Sequence, residues 1–208
     1  AWSALTAYEK ALNENGKFLL RIEDIDFNRC SRGDTAQILE DLAWLGIEWD
    51  KPVRIQSEHL ADYTAATKSL QDQGLLYPCF CTRKDIQREI EAAGHAPHGG
   101  DGPLYPGTCR RLSEDERRAR IASGKPYALR LDLSKALEII GSRLTWQDSI
   151  HGEQIARPEE FGDAVIVRKD IGTSYHLAVV VDDGLQGVTD IVRGVDLFES
   201  THLHRVLQ

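Results

Sequence analysis

Cys79 and Cys81 stand one residue apart in "YPCFCTRKDIQ", in a chain of 208 residues that holds only four cysteines. Thiols at i and i+2 can hardly bridge to each other, but on a turn both sulfurs can face one ion, and a tetrahedral zinc site then needs two further ligands from a distant strand or loop. Cys109 is a candidate for the third, and Tyr105, His95 or His98 could supply the fourth. The other reading of the same residues is a set of separate reduced thiols packed as small apolar groups. Cys30, alone near Arg29 and Arg32, reads as an inert thiol.

A second group of chemistry-bearing residues follows short apolar runs. Glu23, Asp24 and Asp26 close "LLRIEDID", and Arg193 closes "DIVRG". The ends of strands in open α/β sheets are where ligands bind. A guanidinium there pairs bidentately with a carboxylate, and an acidic side chain holds an ammonium group, so together they suit an amino acid. An internal salt bridge between neighbouring strands would use the same residues. Tyr175 and the pair Asp182-Asp183 enter only as polar groups bordering an apolar stripe.

The elements that must position these groups follow from hydrophobic spacing. Leu5, Tyr8 and Leu12 predict a helix that stops at Asn15-Gly16, and Phe18 to Ile22 predicts a buried strand. Ser31 or Asp34 caps a helix with Ile38, Leu39, Leu42 and Leu45 on one face, closed by Gly46; a further helix from Ser57 turns Leu60, Tyr63, Thr67 and Leu70 inward and ends at Gly74. This alternation favours a parallel α/β sheet. A Gly-, Pro- and Ala-rich stretch between about residues 89 and 109 reads as an irregular insert, and a strand resumes at Tyr127. "DAVIVRKDIGTSY" reads as a hairpin turning near Asp170 to Thr173. Leu177 to Val181 fits either a strand or a helical stripe, and "VTDIVRG" reads as a strand.

Composition sets the outer bounds. No apolar run approaches the roughly 20 residues of a membrane span, and no basic segment followed by an apolar one opens the chain, so the cytoplasm is the expected compartment. Asp and Glu outnumber Lys and Arg by 33 to 25, a net charge of -8, which argues against a wide phosphate-binding surface. The basic run Arg110, Arg111, Arg117, Arg118 and Arg120 is interleaved with Glu114, Asp115 and Glu116 and reads as a solvated helix face.

"LLRIEDID" followed by a capped helix, "YPCFCTR", "LYPGTCR" and "YHLAVVVDDGLQGVTDIVRG", in this order and over essentially the whole chain, resemble the glutamyl-tRNA synthetase group of class I aminoacyl-tRNA synthetases. More narrowly they resemble its short bacterial branch, the glutamyl-Q tRNA(Asp) synthetases, which lack an anticodon-binding domain. The resemblance implies a Rossmann-type α/β catalytic domain in two parts, residues 1–76 and 127–208, with a zinc-binding insert and connection at 77–126. It implies a structural zinc on Cys79, Cys81, Tyr105 and Cys109, since four protein ligands leave no position for a reacting water. It places glutamate recognition on Glu23, for the ammonium, and on Tyr175 and Arg193, with Arg193 on a carboxylate, and it requires no catalytic nucleophile.

The implied activity is that of a ligase: ATP activates L-glutamate to glutamyl-adenylate, and the glutamyl group passes to the queuosine of tRNA(Asp), with the enzyme acting as a monomer. Two other readings stay open, the catalytic part of an ordinary glutamyl-tRNA synthetase charging tRNA(Glu), and a zinc-stabilised binding module without catalysis. The group's two ATP signatures, a His-x-Gly-His-like motif and a Lys-Met-Ser-Lys-Ser-like loop, are expected just before residue 1 and after Gln208. The 208 residues on their own are therefore expected to form negligible adenylate.

Overall fold

The structure, a computed structural model, describes residues 2–92, 98–99 and 102–208. The Asn15-Gly16 stop works as a left-handed turn: Asn15 takes φ +52, the Gly16 N–H returns to the Ala11 carbonyl, and α1 (Trp2–Asn13) gives way to β1 (Leu19–Ile22). Ser31 caps α2 (Arg32–Trp44), with the Ser31 hydroxyl and the Asp34 carboxylate each accepting the other's backbone N–H. Of the predicted inward face of α2 only Leu42 is fully buried, and Ile38 and Leu45 are exposed. The chain then returns as β2 (Asp50–Ile55), parallel to β1, completing a strand–helix–strand unit.

A 3₁₀ turn over Gln56–Glu58 leads into α3 (Leu60–Asp72), where Tyr63 and Thr67 are buried. Next come β3 (Leu76–Cys79), α4 (Arg83–Ala92), a two-rung ladder of β4 (His98–Gly99) with β5 (Gly102–Pro103), and α5 (Glu114–Ala122). His95 and the side chain of His98 lie outside the described residues. β6 (Ala128–Leu131), α6 (Leu133–Ile140), the hairpin of β7 (Thr145–Asp148) and β8 (Gly152–Ile155), β9 (Val165–Val167), α7 (Tyr175–Gln186) and α8 (Ser200–Leu207) complete the chain. No helix among the described residues is long and apolar enough to cross a membrane.

Among the described residues the expected parallel sheet exists only as the β1–β2 pair. β3, β6 and β9 instead form an antiparallel sheet in the order β3-β6-β9. Its register explains the difference: Cys79 at the end of β3 pairs with Ala128 at the start of β6. Residues 80–127 thus leave the sheet and re-enter it at one point, and a return of that kind reverses the strand direction. The main core, around Tyr63, Leu131, Ile166, Ala178 and Leu203, lies where α3, α7 and α8 meet this sheet, and a second cluster of Tyr77, Phe80, Cys79 and Cys109 sits at the exit.

Two further expectations are corrected. The turn after β9 is present, closed by Gly172 N–H to the Arg168 carbonyl and Arg168 N–H to the Thr173 carbonyl, with Gly172 at φ +82. Its second arm is the start of α7 and not a strand, because the Ser174 hydroxyl accepts the Leu177 N–H and nucleates the helix. "VTDIVRG" is also not a strand, since among the described residues no ladder reaches it, and an extended segment without a neighbour leaves its backbone groups unpaired. Leu177 to Val181, open between strand and helix, is helical.

Candidate functional site

The end of β3 delivers Cys79 and Cys81 to one point, because Phe80 between them is 3% exposed and packs on the Tyr127 ring. Cys109 arrives from the turn opened by Gly107 at φ +76, and its sulfur accepts the Phe80 N–H at 3.3 Å. The three sulfurs lie within 4.8 Å of one another, Cys81 and Cys109 at 3.5 Å. The Tyr105 hydroxyl stands 3.5 Å from the Cys81 sulfur and accepts the Cys109 N–H at 2.8 Å, while the Arg130 guanidinium covers its ring at 3.9 Å. Burial pushes the Cys81 thiol up to about 12; burial also acts on Cys109, but the hydrogen bonds from Tyr105 and the Phe80 N–H bring that thiol below its ordinary value.

The donor set fits a zinc ion. Four bonds of about 2.3 Å to a tetrahedral centre put neighbouring sulfurs about 3.8 Å apart, close to the spacing observed, and thiolates select soft metals. A second His-acid cluster, Glu160, Glu199 and His202, also gathers within 4.8 Å, but Arg157 already serves it. Its guanidinium is 3.0 Å from Glu160 and 3.7 Å from Glu199, and the Arg157 backbone N–H donates to His202 Nδ1, which leaves the His202 Nε2–H to Glu199.

Glu23 follows β1, Tyr175 opens α7 and Arg193 lies in the irregular segment before α8, yet the fold brings the three together. The Tyr175 hydroxyl sits beside the Arg193 guanidinium and within electrostatic reach of Glu23 and Arg21; burial raises its pKa and Arg193 opposes that rise. Burial likewise lifts the Glu23 carboxyl, against the pull of Arg21 at 3.5 Å. The neighbouring acids point elsewhere: Asp24 accepts the Ser57 N–H and hydroxyl at 2.9 and 2.6 Å, and Asp26 pairs with Arg168 at 3.3 Å. Among the described residues no carboxylate forms an ion pair with Arg193, so the internal salt-bridge reading does not describe it. A cleft of about 410 Å³ is lined by both Tyr175 and Tyr105, with Arg130, Arg168, Glu160 and His176 between apolar walls.

The family model of tRNA synthetases class I (E and Q), catalytic domain, matches residues 1–208. The chain belongs to the class I aminoacyl-tRNA synthetases. It is 45% identical to a glutamyl-Q tRNA(Asp) synthetase of Rhodobacter capsulatus, over 100% of this chain and 75% of that protein. It is 43% identical to the Symbiobacterium thermophilum protein of the same name, over 97% and 62%, and 39% identical to a glutamate–tRNA ligase of Hydrogenobaculum sp., over 97% and 41%. A crystal structure of a glutamate tRNA ligase from Elizabethkingia meningosepticum in complex with its amino acid superposes with a TM-score of 0.79 at 27% identity, covering 99% of this chain and 42% of that one. The chain thus spans between about two fifths and three quarters of the length of these relatives.

Sequence reasoning missed the buried network beside Glu23. Asp182, expected only at the border of an apolar stripe, is 0% exposed and accepts from Arg54 Nε at 2.6 Å, Gln56 Nε2 at 2.9 Å and the Tyr63 hydroxyl at 3.0 Å. Arg21 donates to Asp183 at 2.7 Å and reaches back to Glu23. The signal was an acidic pair inside an apolar helix: a buried carboxylate needs cationic or hydrogen-bonding partners, and Arg21 and Arg54 lie in the neighbouring strands. The basic run is engaged within the protein. Arg110 pairs with Asp163 at 3.0 Å, Arg118 with Asp115 at 2.7 Å, and Arg117 donates to the Arg110 and Leu112 carbonyls.

Proposed function

We propose that this synthetase activates L-glutamate with ATP and transfers the glutamyl group to the queuosine of tRNA(Asp). The carrying observation is the convergence of Glu23, Tyr175 and Arg193 with, among the described residues, no carboxylate in an ion pair with Arg193. A zwitterionic amino acid supplies what the three lack: its ammonium faces the Glu23 carboxylate, and a carboxylate completes Arg193 beside the Tyr175 hydroxyl. One carboxylate oxygen of glutamate attacks the α-phosphorus of ATP and pyrophosphate leaves. A hydroxyl of the acceptor then attacks the carbonyl of the adenylate and AMP leaves. Holding the substrate in line is the protein's main contribution, so no side-chain nucleophile is needed.

In the same reading Cys79, Cys81, Tyr105 and Cys109 hold a structural zinc that closes the insert at 77–126 of a Rossmann-type domain. Such an ion crosslinks β3 to the turn at Cys109 and fixes the Tyr105 wall of the cleft. The names borne by the Rhodobacter and Symbiobacterium relatives support tRNA(Asp) as the acceptor. The test is glutamylation by the full-length protein of tRNA(Asp) with and without queuosine, and of tRNA(Glu). Glutamate-dependent pyrophosphate exchange with label on queuosine-bearing tRNA(Asp) alone is the expected result. Charging of tRNA(Glu) would assign the chain to the ordinary glutamate–tRNA ligases, and no exchange in the full-length protein would leave a binding module.

A further inference from the structure

Arg193 comes from an irregular segment, so its guanidinium takes its orientation from another element, and α8 provides it. Nη2 donates to Thr201 Oγ1, and Nη1 stands 3.1 Å from His204 Nδ1. Thr201 and His204 are three residues apart and share a face of the helix. A guanidinium offers five N–H donors and no acceptor, so His204 Nδ1 is the acceptor and carries no proton. The ring proton is then on Nε2, which stands 3.1 Å from His176 Nδ1 on α7. Only this tautomer satisfies both contacts. His204 is 5% exposed, and burial, with Arg193 and His176 adding to it, brings its pKa down to about 3, so the ring stays neutral throughout the working range of pH. The Tyr175 ring packs on both imidazoles, with centroids 5.4 Å from His176 and 5.7 Å from His204.

We propose that His204 is a positioning residue for substrate recognition: its Nδ1 takes one Arg193 donor and Thr201 a second, leaving the other N–H groups for the substrate carboxylate beside Tyr175. The inference rests on the reading of Arg193 and Tyr175 as carboxylate binders. The neutrality of the partner is essential to it. A carboxylate at position 204 would orient the guanidinium equally well but would compete with the substrate for its charge, whereas an imidazole orients it and leaves the charge intact.

Two neutral amides separate this role from a packing role. His204→Asn sets an amide oxygen near the place of Nδ1, and His204→Gln sets its amide near the place of Nε2. Pyrophosphate exchange by the full-length protein should show His204→Asn within about twofold of wild type and His204→Gln with a KM for glutamate raised about tenfold, the scale of one hydrogen bond to a charged group. The KM for ATP should not move in either variant. Equal glutamate KM values in the two variants, or glutamate and ATP KM values rising together with a lowered melting temperature, would overturn the inference. Arg193→Gln serves as the reference. A raised glutamate KM there with none in His204→Gln sinks the positioning role alone, while an unchanged KM in Arg193→Gln sinks the carboxylate assignment beneath it.

Discussion

Tyr105 is the residue at which the thiol cluster and the cleft meet: its hydroxyl lies among three sulfurs, Arg130 covers its ring, and it shares the cleft wall with Tyr175. The spacing of Cys79 and Cys81 announced half of this cluster, but spacing left Tyr105 level with two histidines, and only the resemblance singled it out. A phenol has no metal-binding reputation in sequence, and its fitness comes from a location 3.5 Å from a sulfur that a chain 24 residues away provides. Metal analysis should find about one zinc per chain, lost in Cys81→Ser, because the site needs four donors to close its tetrahedron. Limited proteolysis of that variant should cut residues 80–127 faster than in wild type. Full retention of metal by Cys81→Ser would rule out the ligand set.

Among elements, α7 joins the Tyr175–Arg193 contact to a buried network of carboxylates and their partners. Ser174 starts it, Tyr175 on its first turn sets its hydroxyl beside Arg193, and Asp182 and Asp183 near its end hold Arg54, Gln56, Tyr63 and Arg21. Its apolar stripe was legible as strand or helix, since Leu177 to Val181 satisfies both periods; the cap at Ser174 decided between them. The misread "VTDIVRG" shows the opposite limit, because β-propensity describes a residue and a strand also requires a partner, which only the tertiary fold grants. The antiparallel β3-β6-β9 order was equally out of reach, being set by where a 48-residue excursion ends. Asp182→Asn should lower unfolding free energy by about 3 kcal/mol, since it leaves Arg54 without its buried counter-charge. Urea unfolding reads this directly, and a loss under about 1 kcal/mol would show that Gln56 and Tyr63 carry the position without the charge.

For the whole molecule, the charge balance limits how the proposed tRNA can be held. The chain carries a net charge of -8, and the one basic run in its sequence is turned to internal use, with Arg110 on Asp163, Arg117 on backbone carbonyls and Arg120 over the Phe80 ring. With carboxylates outnumbering cations 33 to 25, phosphates meet a surface that on balance repels them. Binding of the proposed tRNA(Asp) should therefore depend weakly on salt, with a slope of log K against log salt shallower than about -4, since each neutralised phosphate contributes roughly -0.7 to -0.9. Filter binding of queuosine-bearing tRNA(Asp) between about 50 and 200 mM salt measures the slope. A value near -8 would require about ten phosphate contacts and would contradict the expectation that the protein lacks a wide phosphate-binding surface. A shallow slope has a further consequence: where phosphates contribute little affinity, discrimination falls to bases and sugars that enter a cleft, and a single modified nucleoside can then decide which tRNA is accepted.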